Sequence, residues 1–216
     1  MTFSRLHITV FLGLAVLVWG VVLLAQGTPI TGEHLAPFST VVGAMVMLGV
    51  AFEHTLWHMP WLHGWFVRRP DLRGTWTVEL QSDWTDAVTG KLTEPIICYM
   101  GVEQTLSRLQ MHLMTPESES WLIAESISPP ALGFGYQVVG VYTNRPQMLL
   151  RGDRSAIHFG ALVLDTHGPS LARPETLAGE FWTDRKTKGI VTLTGRVDTI
   201  YTRYADASQI HRRSGS

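Results

Sequence analysis

The sequence predicts two N-terminal transmembrane α-helices followed by an all-β domain, which is expected to be an antiparallel β-barrel of about eight strands. Three observations support this fold class. Two long uncharged apolar runs open the chain, alternating apolar and polar residues follow residue 70, and no later segment has the length and 3.6-residue period of a crossover helix. The predicted domains are residues 1–65 as a two-helix transmembrane hairpin, residues 70–204 as the barrel and residues 205–216 as a disordered tail.

The first uncharged run extends from Ile8 to Ala25 and the second from Leu35 to Phe52. Each contains 18 residues, which suits a helix that crosses a hydrocarbon core of about 30 Å. Because a backbone in lipid must satisfy its own hydrogen bonds, each run is predicted to be a transmembrane helix. A cleaved signal peptide is the competing interpretation of the first run, but a second run directly after it favours a hairpin.

Basic residues flank the two runs on one side only. Arg5 precedes the first run, and Arg68, Arg69 and Arg73 follow the second, whereas the connecting residues 26–34 include no Lys or Arg. The positive-inside rule therefore predicts that both termini and the β domain lie in the cytoplasm.

The charges of the chain are balanced in its β-rich part. All but one of the 17 Lys and Arg residues, and all but two of the 18 Asp and Glu residues, lie beyond Trp65. This balance argues against a DNA- or RNA-binding domain. The single cysteine, Cys98, excludes an intrachain disulfide and fits a reducing compartment.

Period-2 alternation predicts the strands of the β domain. In the first of them, Trp76 and Val78 fall on one face while Thr77 and Glu79 fall on the other. The predicted strands are Thr75–Gln81, Ile96–Glu103, Leu106–Met114, Trp121–Ile127, Tyr136–Asn144, Ala156–Asp165, Leu177–Thr183 and Ile190–Val197. Closure into a barrel removes exposed strand edges, and a sandwich is the alternative arrangement.

No group of residues forms a convincing catalytic or metal-binding constellation, so the chain is predicted not to be an enzyme and to need no cofactor or metal. His54 and His58 have helical i, i+4 spacing, but they are interpreted as polar residues at a helix end. Cys98 lies in an apolar strand with no charged neighbour and is expected to pack in the core.

A candidate ligand site lies near the end of the β domain, where a predicted hairpin brings an aromatic ring, cations and hydroxyl groups together. Aromatic rings stack on nucleobases, and arginine and hydroxyl groups bind phosphate oxygens. The candidate ligand-binding residues are Trp182, Thr183, Arg185 and Thr187, with Tyr142, Asn144 and Arg151 as secondary candidates at another strand end and in the loop beyond it. The alternative interpretation is a solvated turn that Asp184 and Arg185 merely hold in shape.

Several segments carry a family resemblance. Behind the two apolar runs come the strand opening Arg73–Trp76, the strand entry Ser118–Ser120, the strand end Tyr142–Pro146 and the segment Gly179–Arg185. In this order the segments resemble those of the two-transmembrane, β-strand-rich effectors of bacterial anti-phage signalling (CBASS). The resemblance covers nearly the whole chain.

The resemblance implies a β-barrel that binds a cyclic dinucleotide made by a partner nucleotidyltransferase, the cyclic-nucleotide synthase. Binding would drive homo-oligomerisation and disruption of the lipid bilayer of the bacterial inner membrane, which kills the infected cell. The protein would then be a multi-pass inner-membrane protein with its β domain in the cytoplasm. In this interpretation Arg185 contacts phosphate and Trp182 stacks on a base. The alternative function is a membrane-tethered lipocalin-like carrier or structural binding protein, which would need an apolar lumen.

Overall fold

A computed structural model describes residues 5–25, 27, 32–85, 90–129, 135–150 and 156–214. The chain divides into two units. The first comprises the described residues up to Trp57 together with Thr105–Ser107, and the second comprises the other described residues from His58 onward.

Two helices form most of the first unit, α1 over Arg5–Ala25 and α2 over Gly32–His54. Within the described ranges, none of the helices is both long enough and apolar enough to cross a membrane. The prediction of two transmembrane helices is therefore wrong. It relied on the lack of charged residues in the two runs. The polar residues Glu33, Ser39 and Thr40 fall in the first half of α2.

Near the end of α2, the carboxylate of Glu53 accepts hydrogen bonds from other residues of the first unit. The hydroxyl groups of Thr105 and Ser107 each donate to Glu53 Oε1 over 2.6 Å, and the backbone N–H of Ser107 donates over 3.1 Å. Burial raises the pKa of Glu53, but the hydrogen bonds outweigh burial and hold the pKa below its usual value. Glu53 is therefore held in its charged form.

The second unit is an eight-stranded antiparallel barrel, as the sequence predicts. Its strands are β1 (Gly74–Ser82), β2 (Ile96–Gln104), β3 (Leu109–Met114), β4 (Ser118–Ser128), β5 (Gln137–Pro146), β6 (His158–His167), β7 (Thr176–Thr183) and β8 (Lys188–Val197). Each strand pairs with its neighbours in chain order, and β8 closes the barrel by pairing with β1. No strand edge along this ring is left without a neighbouring strand.

The alternation along the strands fills the barrel with apolar side chains. On β1, Trp76 and Val78 are fully buried while Glu79 is exposed. Side chains from all eight strands complete the core, among them Met100, Met111, Leu122, Val138, Leu164, Leu177 and Leu193. Cys98 is one of these core residues, and burial raises its pKa to about 12, so its thiol stays protonated and inert.

One end of the barrel, called the base here, is closed by the segment that leads into β1. Gln104 holds this segment because its side-chain amide donates to Pro70 O over 2.8 Å and accepts from Leu72 N over 2.9 Å. The indole N–H of Trp76 donates to Leu72 O over 2.9 Å. Leu72 and Trp76 are fully buried, so the base is filled by side chains.

The C-terminal segment forms a third helix, α3, over Tyr204–Ser214, whereas the sequence predicts a disordered tail over residues 205–216. The helix packs against β2. Ala207 is fully buried there in a small apolar cluster with Tyr99 and Met114. This tertiary contact accounts for helix formation in a segment of low hydrophobicity.

Candidate functional site

The barrel end opposite the base, called the mouth here, carries most of the predicted ligand-binding residues. At this end β1 finishes and β2 begins, and the β7–β8 turn connects Thr183 to Lys188. The turn contributes Arg185 and Thr187, while Tyr142 and Asn144 lie on the half of β5 that leads to the mouth. The fold therefore brings together residues that are about 40 positions apart in the sequence.

A small cavity occupies the barrel interior on the mouth side. Its volume of about 40 Å³ leaves room for about three waters. The lining residues are Leu80, Met100, Met111, Leu113, Ser120, Leu122, Tyr142, Leu162, Phe181 and Val191. Ligand pockets generally need several hundred Å³, so this cavity is too small to enclose a ligand of more than a few atoms.

Tyr142 is the largest polar side chain that lines this cavity, and a glycine sets its position. Gly160 of β6 is its register partner, and a Cβ atom at Gly160 would lie 2.3 Å from Tyr142 Cζ. Burial, together with the charge of Asp184, raises the pKa of Tyr142 to about 12. The phenol therefore stays protonated at physiological pH and is a hydrogen-bond donor at the mouth.

A cluster of small polar side chains lies beside Tyr142 on the inner faces of β4 and β5. Asn144 Nδ2 donates to Ser120 Oγ over 2.9 Å and to Ser118 Oγ over 3.1 Å. The β4–β5 register places Ser120 opposite Asn144 and Leu122 opposite Tyr142, so these side chains share one face. The cluster supplies amide and hydroxyl groups of the kind that bind phosphate or sugar oxygens.

The β7–β8 turn is held by its own hydrogen bonds. The backbone N–H of Thr183 donates to Thr187 O over 2.9 Å, and Lys186 N donates to Thr183 O over 3.1 Å. Lys186 has a φ angle of 62°, a conformation that type I turns followed by a left-handed residue use in hairpins. Arg185 is exposed at the tip of the turn.

Asp184 ties the same turn to β6. Its backbone N–H donates to Phe159 O over 3.0 Å, and its carboxylate accepts from Phe159 N over 3.2 Å. The charge of Asp184 also contributes to the raised pKa of Tyr142, which shows that the turn and the inner face of β5 are electrostatically coupled. The turn therefore has a fixed position beside Tyr142.

The structure separates Trp182 from the other predicted site residues. Phe181 points into the cavity, so the next side chain along β7 points to the outer wall, where Trp182 pairs with Ala161 and Lys188. The Trp182 side chain is 47% exposed on that wall. Arg151, the last candidate, lies outside the described residues.

Sequence reasoning did not select Ser118, Ser120 or Phe181 as site residues. The segment Ser118–Ser120 contributes to the family resemblance, but only the β4–β5 register shows that both serines bond to Asn144. In the described part of the chain, no group of three or more His, Cys, Asp or Glu side chains is arranged to hold a metal ion.

A family model matches this chain over residues 67–195, and its description is Cap15, cyclic dinucleotide receptor domain. The matched segment covers more than half of the chain, with β1 to β7 complete and β8 up to Gly195. It contains the base, the cavity and the whole mouth. A search of curated proteins gives no significant match.

Proposed function

The chain belongs to the Cap15 cyclic dinucleotide receptor family, and we propose that its cyclic dinucleotide binds across the mouth of the barrel. The family match supports cyclic dinucleotide binding by the barrel, because the matched residues form the barrel almost completely. The chain is thus a cyclic-dinucleotide-binding effector of CBASS defence, and the location of the ligand is the part that we infer.

The two ends of the barrel differ in their side chains, and this difference favours the mouth as the ligand site. Fully buried Leu72 and Trp76 fill the base, whereas the mouth presents the Tyr142 phenol, the Asn144 amide and the turn with Arg185. A cyclic dinucleotide carries two phosphates, two sugars and two bases, so it needs cations, hydrogen-bonding groups and rings within one surface. We assign phosphate binding to Arg185 and hydrogen bonding to Tyr142, Asn144, Thr183 and Thr187.

We propose that ligand binding leads to homo-oligomerisation and then to disruption of the inner membrane, and that this output is not enzymatic. The predicted partner is a cyclic-nucleotide synthase, which releases the ligand in the cytoplasm where we place the barrel. The family resemblance of the sequence supports this output. A ligand drives such a transition only through a higher affinity for the assembled state than for the free chain.

The alternative function, a lipocalin-like carrier, has less support. A lipid carrier must enclose its ligand in an apolar lumen, and the cavity in this barrel has a volume of only about 40 Å³. A lipid tail could enter the barrel only if the core side chains repacked extensively. Such repacking is unfavourable because protein interiors are already close-packed.

The location of the site is tested by a thermal-shift panel of cyclic di- and trinucleotides on the full chain. A ligand that binds only the folded state raises the melting temperature by mass action. We expect at least one cyclic dinucleotide to stabilise the wild type and to stabilise Arg185→Ala much less at equal concentration. An equal rise of the melting temperature in both proteins would show that the ligand does not bind at the β7–β8 turn.

The proposed output has a separate test in cells. Co-expression of the full chain with an active synthase should permeabilise the inner membrane, measured as uptake of a dye that intact cells exclude. The matched control is the same chain with a synthase that lacks activity. Cell death without dye uptake would contradict membrane disruption while leaving ligand binding in place.

A further inference from the structure

A second and larger cavity lies on the outer wall of the barrel, under the chain segment that joins β8 to α3. This segment, called the strap here, comprises Thr199–Thr202. It is fixed to β1 because Thr75 Oγ1 donates to Thr199 O over 2.8 Å and accepts from Tyr201 N over 2.9 Å. A Cβ atom at Gly101 would lie 2.7 Å from Tyr201 O, so only glycine lets the strap pass this closely over β2.

The cavity between the strap and the wall, called the outer pocket here, has a volume of about 260 Å³. This volume is near the lower limit of small-molecule sites and several times that of the lumen cavity. The lining residues are Gly101, Glu103, Gln110, Met111, His112 and Trp121 from the wall, with Ile200, Tyr201 and Thr202 from the strap. The pocket therefore combines aromatic rings with a carboxylate and an amide.

A stack of planar groups ends at this pocket. The rings of His112 and Trp121 are parallel within 8°, with centroids 4.9 Å apart, and the guanidinium carbon of Arg145 lies 5.8 Å from the Trp121 centroid. The register partner of His112 on β2 is Gly101, which has no side chain. The β2 side of the imidazole ring is therefore bounded by the strap and the outer pocket, and not by a side chain of β2.

His112 presents a neutral ring to the pocket. Burial lowers its pKa below the usual value, and the nearby charge of Glu119 only partly offsets this. Its Nε2 atom is buried, lies 3.7 Å from Glu119 Oε2 and has no partner within hydrogen-bond distance among the described residues. The Nε2 edge of the His112 ring therefore points toward Glu119. The flat face of the ring, and not this edge, is then the part that a ligand in the pocket can contact.

Hydrogen-bonding groups lie next to this stacking position. Glu103 and Gln110 are register partners on β2 and β3, two residues along from Gly101 and His112 and on the same outer face. A carboxylate only accepts hydrogen bonds, and its two oxygens match a ligand with two adjacent N–H donors. Guanine has this donor pair on one edge of a flat ring, whereas adenine does not.

We propose that the outer pocket is a second nucleotide site that binds a guanine base. The base stacks on His112 beneath the strap, and its N–H edge donates to the Glu103 carboxylate. This site lies on the opposite side of the wall from the lumen. On the same two strands, Leu113 and Ser120 face the inner cavity while His112 and Trp121 face the outer pocket.

The probe is GMP, titrated into the full chain by isothermal titration calorimetry, with AMP as the control that shares its sugar and phosphate. We expect GMP to bind about ten-fold more tightly than AMP or better, as a charge-assisted hydrogen-bond pair implies. Glu103→Gln should remove this preference without loss of fold, because Glu103 is exposed. The matched variant is Glu79→Gln, which changes an exposed carboxylate that does not line the pocket.

Three outcomes would overturn the proposal. Equal affinity for GMP and AMP would show that the pocket does not recognise guanine. An unchanged preference for GMP over AMP in Glu103→Gln would show that the Glu103 carboxylate does not bind the base. Displacement of GMP by a cyclic dinucleotide that contains no guanine and stabilises the chain in the thermal-shift panel would show that the two share one site. Retention of GMP by Arg185→Ala, which is altered at the mouth, would instead support two separate sites.

Discussion

The ring of Tyr142 lies directly over Gly160, its partner in the β5–β6 register. Any other residue type at position 160 requires its neighbours to shift, since an added Cβ would be 2.3 Å from Tyr142 Cζ and 2.8 Å from Trp182 O. The glycine thus leaves room for a tyrosine side chain that lines the inner cavity on its mouth side. This pair joins the packing of the barrel to the proposed ligand site.

The first prediction concerns this contact. Gly160→Ala should lower the free energy of unfolding by about 1–3 kcal/mol, because the methyl group overpacks the core, and should also weaken cyclic dinucleotide binding by displacing Tyr142. The matched control is Gly140→Ala on β5, where the added Cβ meets the flexible end of Leu122 at 2.6 Å. Urea unfolding and ligand titration measure both effects. Equal losses in the two variants would show that the position of Tyr142 does not matter for binding.

The second prediction separates two residues that are three positions apart in the chain. Arg185→Ala should weaken cyclic dinucleotide binding by about ten- to a hundred-fold, since a charge-assisted contact to phosphate is lost. Trp182→Ala should change the affinity by less than about two-fold, because its side chain lies on the outer wall. Titration of the full-length variants with the same ligand measures the difference. A large loss in Trp182→Ala would place the ligand on the outer wall of β7.

The strands were predictable because burial on one face leaves a period-2 pattern. Trp76, Val78 and Glu79 already show which positions of β1 face the core. The side of β7 on which Trp182 lies was not predictable in the same way. Phe181 and Trp182 are adjacent, large and aromatic, so alternation alone does not show which of them faces the core. Chain proximity grouped Trp182 with Arg185, but the pleat places Trp182 on the outer wall, whereas Phe181 lines the inner cavity.

Contacts between distant residues explain the other differences. The bonds from Asn144 to Ser118 and Ser120 depend on the β4–β5 register, which the strand pattern does not reveal. Helix α3 is stabilised by docking of Ala207 near Tyr99, a contact that a polar tail does not indicate. The two N-terminal runs were correctly identified as helical, but no described helix has the length and hydropathy of a membrane span.

The third prediction concerns the base of the barrel. Gln104→Ala should lower the free energy of unfolding by about 1–3 kcal/mol, because it leaves the buried N–H of Leu72 and C=O of Pro70 without their partner. The matched control is Gln110→Ala, an exposed glutamine on the adjacent strand, which should cost less than about 0.5 kcal/mol. Thermal and urea unfolding of the full chain measure both. Similar values for the two variants would show that Gln104 does not hold the segment that enters β1.

The fourth prediction concerns Asp71, which is buried beside the start of β1. Arg73 binds its carboxylate through two side-chain hydrogen bonds, Nε to Oδ1 and Nη2 to Oδ2, each 2.9 Å long. Burial alone would raise the pKa of Asp71. The hydrogen bonds from Arg73 and the charges of Arg73 and Arg196 lower it by more, so the folded-state pKa is below its ordinary value. The ion pair therefore stabilises the fold above the unfolded-state pKa, and this contribution is lost as the pH falls through the folded-state pKa.

Asp71→Asn should accordingly lower the free energy of unfolding at pH 7 by about 1.5–3 kcal/mol, the range for hydrogen bonds to charged groups. The difference from the wild type should shrink below about pH 4, where the unfolded chain takes up a proton at Asp71. Asp165→Asn is the control, since Asp165 is exposed on β6. Urea unfolding at several pH values, followed by tryptophan fluorescence, measures both variants. A difference between Asp71→Asn and the wild type that stays constant down to pH 3 would show that the charge of Asp71 does not stabilise the barrel, and that the side chain contributes only through its shape.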